Sequence, residues 1–161
     1  MNDRRQPGKM GAGQSGVMLL EALIAILIFS LGILTVIGIQ ATSIRMASDA
    51  QLRSKAALLA DRLVGQMWAS GEDIVKLEAS FKTGGNAYNA WLADVKGADG
   101  LPGIDDTDEM APRVNITPGG EIGGIARDAK VVITLFWRTP SMSEDEPAHQ
   151  HIVTSYISRN P

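Results

Sequence analysis

The chain reads as an α+β protein in which a long N-terminal helix packs over a small antiparallel sheet. An apolar run from Val17 to Ile39 holds a single charge, Glu21. From Gln40 to about Ala69 the apolar residues Leu52, Ala56, Leu59, Leu63 and Met67 return at steps of three and four, with no proline from Val17 to Gly71. β-Branched and aromatic residues then concentrate near the end, at Val131 to Trp137 and Ile152 to Ile157.

The first segment, Met1 to Gly16, is polar and rich in glycine and carries Arg4, Arg5 and Lys9 against Asp3. It has too little apolar surface to build a core. Val17 to Ile39 as a helix covers about 34 Å at 1.5 Å per residue, enough to cross a hydrocarbon layer of about 30 Å. A carboxylate inside such a span costs on the order of 2.5–3.5 kcal/mol, so Glu21 calls for a partner. Cleavage after Gly16 would supply one, because Val17 would then carry a new ammonium one helical turn from Glu21.

A basic leader ending in glycine, an apolar residue next, and glutamate fifth in an otherwise apolar helix resembles the processing site of type IV prepilins and type II secretion pseudopilins. The resemblance implies a pilin-like fold and cleavage between Gly16 and Val17 by a membrane prepilin peptidase that also N-methylates the new terminus. It implies that Glu21 pairs with an N-terminus as the subunit docks into a filament. Val17 stands where the family usually has phenylalanine.

This divides the chain into a leader (1–16), a transmembrane half of the long helix (17–39), an amphipathic half (40–70) and an extracytoplasmic αβ loop with an antiparallel sheet (71–161). The long helix is expected to be continuous for roughly fifty residues, with Gly71 as its stop. Asp49 and Arg53 stand at i and i+4 on its polar side. Gly32 and Gly38 lie within the span, where small residues permit close helix packing. In pilins a glycine or proline region of this helix loosens on assembly, which makes Gly38 the corresponding position here.

Arg53-Ser54-Lys55-Ala56-Ala57-Leu58-Leu59-Ala60-Asp61-Arg62-Leu63, with Leu101-Pro102-Gly103 and Phe136-Trp137, is similar to the PilV type of minor pilin. That likeness covers most of the chain and implies a role in pilus assembly or initiation. Its partners would be prepilin peptidase, other major and minor pilins, the inner-membrane assembly platform and the lipid bilayer. The I-type minor pseudopilin of type II secretion and a signal-anchored periplasmic binding module are the alternatives.

After the helix, Ile74 to Phe81 and Tyr88 to Val95 suggest two short helices parted by the turn Thr83-Gly84-Gly85-Asn86. Lys96 to Met110 reads as a loop. Arg113 to Thr117 is a short strand ended by Pro118-Gly119-Gly120. Lys130 to Arg138 is the best strand, with Val131, Ile133, Leu135 and Trp137 on one face and Val132, Thr134 and Phe136 on the other, which suggests a central place. Ile152 to Ile157 follows an acidic loop. Three or four strands laid across the amphipathic half of the helix would hide its apolar stripe.

The leader takes three of the fifteen basic residues and one of the eighteen acids, leaving twelve against seventeen, so nucleic acid is not an expected partner. With no cysteine there is neither a disulfide nor thiol chemistry. His149 and His151 would share one strand face, a spacing some metal sites use. Asp99, Asp105, Asp106, Asp108 and Glu109 could offer hard oxygen ligands to calcium, although they lack the alternating spacing of a dedicated loop. No nucleophile elbow or phosphate-binding loop is present. The expectation is a structural subunit without a cofactor, not an enzyme.

Overall fold

The computed structural model describes residues 14–105, 109–140, 142–143 and 145–159. The chain divides into two compact units, Met1–Ala47 and Ser48–Pro161. Helix α1 runs Gln14–Ala69, about 84 Å at 1.5 Å per residue. It is an unbroken helix, as the absence of proline permits, and it begins ahead of the Gly16–Val17 junction. Its end is built from two devices. Ser70 donates its N–H to Gln66 O at 2.9 Å and its hydroxyl to Met67 O at 2.9 Å, and Gly71 then takes φ 65, the left-handed turn that closes a helix.

Two short helices follow. Helix α2, Ile74–Phe81, is capped by Asp73, whose Oδ1 accepts from Lys76 N at 2.8 Å. Helix α3 is Asn86–Lys96. The turn between them is tight at Gly85, where a Cβ would collide with the Ser80 carbonyl.

Strands β1 (Arg113–Pro118), β4 (Asp128–Trp137) and β5 (His149–Ser158) form an antiparallel sheet in the order β1-β4-β5, with the small hairpin β2 (Glu121–Ile122) and β3 (Ile125–Ala126) between β1 and β4 in sequence. In that hairpin Gly123 and Gly124 carry φ 65 and 79, the positive pair a type I′ turn demands. The sequence marks these glycines as a turn but does not reveal the two-residue strands beside them. Likewise β5 starts at His149, earlier than the Ile152 start its β-branched content suggests, because cross-strand pairing with Trp137 and Leu135 extends it. Ten residues then align along β4 from Asp128↔Ser158 to Trp137↔His149.

The core is wholly apolar among the described residues. Ala56, Ala60, Leu63 and Met67 of α1 are fully buried, with Leu59 nearly so. They join Ile74, Leu77, Trp91, Val95, Val114, Val131, Ile133, Leu135, Trp137 and Ile157 in one cluster. The covered stripe begins at half-buried Leu52, so Gln40 to Ala47 belongs with the exposed part of the helix. Strand β4 is central, as its composition suggests, yet its two faces differ. Val131, Ile133, Leu135 and Trp137 are buried, while Val132, Thr134 and Phe136 remain half-buried on the outer face.

Candidate functional site

Residues Val17 to Ile39 of α1 present their side chains outward. Val17 is 65% exposed and Phe29 70%, and a Cβ added at Gly16, Gly32 or Gly38 meets nothing within 4 Å. This helix is long and apolar enough to cross a membrane. Its few polar groups fit that medium. Ser30 donates to Ile26 O at 2.7 Å, Thr35 to Leu31 O at 2.9 Å and Thr42 to Gly38 O at 3.2 Å, so each hydroxyl is satisfied by the carbonyl one turn earlier.

Glu21 is the exception. It lies exposed on the helix, four residues after Val17, and has no ion-pair partner among the described residues. The Gly16–Val17 bond sits in the first turn of α1, where backbone N–H groups have no intrahelical acceptor and the turn opens most easily. Residues 1–13, most of the expected leader, lie outside the described residues.

In the second unit, long-range hydrogen bonds tie the loops to the helix. Trp91 donates its indole N–H to Leu59 O at 2.9 Å, linking α3 to α1 through a buried bond. Tyr88 donates to Pro112 O at 2.7 Å. Arg159 reaches the other end of α1, donating to Met67 O at 2.6 Å and Trp68 O at 3.1 Å and lying over the Trp68 ring at 5.9 Å. The last turn of α1 holds no basic residue of its own, so a cation from the far end of the chain meets the negative end of the helix dipole. The sequence offers no spacing signal for this contact, because the residues lie some ninety positions apart.

The Leu101-Pro102-Gly103 segment also has a physical role. Leu101 is buried and donates its N–H to Val95 O at 3.0 Å, while Pro102 O accepts from Arg138 N at 3.1 Å. Gly103, at φ 74, lies where a Cβ would crowd the Arg138 backbone. These three residues fasten the end of α3 to the end of β4.

Among the described residues the suggested metal ligands form no cluster. His149 and His151 share the inward-facing side of β5, but the His149 ring is stacked on Trp137, with centroids 5.6 Å apart and planes at 27°. Asp105 is exposed in its loop, and Asp106 and Asp108 lie outside the described residues. Among the described residues no three His, Asp or Glu side chains converge. A cavity of about 230 Å³ lined by Glu72, Asp73, Ile125, Arg127 and Arg159 mixes acids with arginines. The Asp73 carboxyl is held below the ordinary carboxylate range first by the hydrogen bond from the Lys76 backbone and then by the Lys76 side chain, 3.2 Å away. No family model, curated protein or solved structure matches the chain.

Proposed function

We propose that the chain is a type IV pilin-like minor subunit of the PilV type, matured by cleavage between Gly16 and Val17. The observation that carries this reading is one carboxylate, Glu21, without an ion-pair partner among the described residues, a single turn after a Gly–apolar junction on a helix whose apolar side chains from Val17 to Ile39 all face outward. In lipid that carboxylate is costly alone, and a new ammonium on Val17, in the same or a neighbouring copy, neutralises it. Residues 17–39 hold the subunit in the inner membrane with its C-terminal domain in the periplasm. Docking of the span beside other pilins then moves it into the filament, where it serves in assembly or initiation.

Catalysis has no part in this reading: the domain's buried side chains form packing contacts, and its outward helix supplies the assembly surface. Mass spectrometry of the native polypeptide tests it. A chain starting at Val17, with or without one added methyl group, is the expected result, and a chain starting at Met1 overturns it. In a strain with this as the sole copy, Glu21→Ala should abolish or sharply reduce piliation. The identity of the neighbouring genes separates a pilus from a secretion pseudopilus.

A further inference from the structure

The cavity of about 230 Å³ in the second unit lies where the end of α1, the start of α2, strand β3 and the end of β5 meet. Glu72, Arg127 and Arg159 bring charge to its wall, and Ile74 and Ile125 make the wall partly apolar. Among the described residues five buried side-chain polar atoms lack a hydrogen-bond partner, and three of them are Glu72 Oε2, Arg127 Nε and Arg159 Nε. Folded proteins leave few such atoms, so three on the residues around one cavity call for an explanation. The charged groups there are not equivalent. Arg159 spends its two terminal nitrogens on the Met67 and Trp68 carbonyls, and Asp73 is committed to the backbone and ammonium of Lys76. Glu72 and Arg127 form no ion pair with each other or with any described residue. Two half-buried opposite charges therefore line one small cavity without meeting.

We propose that this cavity binds a small free α-amino acid with a short aliphatic side chain, its ammonium on Glu72 and its carboxylate on Arg127. The lining selects both charges of the ligand. An anion alone would bring its charge up to the Glu72 carboxylate, and a cation alone would bring its charge up to the Arg127 guanidinium. Either one leaves a half-buried charge without a counter-charge. A zwitterion answers both at once, and the planar guanidinium fork matches a carboxylate with two parallel N–H donors. Volume sets the size class. Pockets for drug-sized ligands run to about 300–1,000 Å³, and this cavity is smaller. Ile74 and Ile125 give the ligand's side chain an aliphatic wall to cover. The bound molecule would bridge the start of α2 and the end of β3, two segments far apart in the sequence.

Isothermal titration of the full-length protein in phosphatidylethanolamine–phosphatidylglycerol vesicles tests this with alanine and valine as probes. Both should bind, and both should raise the temperature of thermal unfolding, because a ligand held only by the folded chain stabilises it. Alaninamide lacks the carboxylate and N-acetylalanine lacks the ammonium, so each should bind weaker than alanine by on the order of tenfold or more. The variants assign the two ends. Arg127→Gln should weaken alanine by a similar factor and leave alaninamide as it was, whereas Glu72→Gln should weaken alanine and leave N-acetylalanine as it was. Thermal unfolding without ligand checks the fold of each variant, and should either fail to fold, the three ligands compared on the parent protein still decide. No binding of alanine or valine, which leaves the cavity to water, overturns the proposal. Equal binding of alanine, alaninamide and N-acetylalanine overturns it as well. The readout is this cavity alone, so it can fail while maturation at Val17 stands, or succeed while maturation fails.

Discussion

The two halves of α1 are one helix by backbone and two different objects by side chain. From Val17 to Ala47 the apolar residues point in every direction and meet no packed neighbour among the described residues, whereas from half-buried Leu52 onward they form a stripe in which Ala56, Leu59, Leu63 and Met67 are buried. An all-round apolar helix asks for an apolar medium, and a striped helix asks for one partner surface. Both stretches belong to the one helix Gln14–Ala69.

Substitutions across the two halves test that contrast. The largest effect is expected at Trp91→Ala, which removes a fully buried ring and its bond to the α1 backbone, and should lower domain stability by about 3–5 kcal/mol in a denaturant titration. Leu63→Ala should cost about 2–5 kcal/mol in the same titration, whereas Leu27→Ala, in the exposed half, should leave the domain transition where it was. Equal losses at Leu63 and Leu27 would break the comparison.

A smaller loss of about 1–2 kcal/mol is expected for Arg159→Ala, which leaves the Met67 and Trp68 carbonyls to solvent and removes a cation from the helix end. Thermal melts at low and high salt would show whether the charge or the hydrogen bonds dominate. In the exposed half, Gly38→Ala should stabilise the helix by about 0.5–1 kcal/mol, since an added Cβ meets nothing there. Slower amide exchange around Thr42 in micelles is the measure. If piliation then falls although the isolated helix is firmer, loosening at Gly38 belongs to assembly.

The smallest effect concerns Asp73. Its carboxyl is held below the ordinary range, so its contribution is present at pH above the unfolded carboxylate's pKa and fades as pH falls through the lower folded value. Asp73→Ala should therefore be less stable than the parent at neutral pH, and the gap should shrink as the melt is repeated at progressively more acid pH.

Much of this was readable from residue order. The span, the stripe from Leu52 to Met67, the two short helices about Gly84-Gly85 and the alternation of β4 all rest on local periodicity, which burial on one face enforces directly. The Gly16–Val17 junction and Glu21 were equally visible, because a lone charge in an apolar run needs no fold to be noticed. Asp49 and Arg53 show the limit of such spacing rules: they stand in the favourable order, yet among the described residues the ion pairs form elsewhere, as between Arg62 and Asp94 at 3.1 Å.

What residue order fixes in this chain is everything set by neighbours a few positions apart: which helix faces are apolar, where it stops at Gly71, and which glycines turn the chain. Folding in three dimensions decided the rest. Arg159 closes a helix that ended some ninety residues earlier, Thr83 covers one sheet edge, and among the described residues no strand pairs with the other edge, β5. Hydrogen bonds between distant segments depend on the route of the whole chain, and no local period encodes that route.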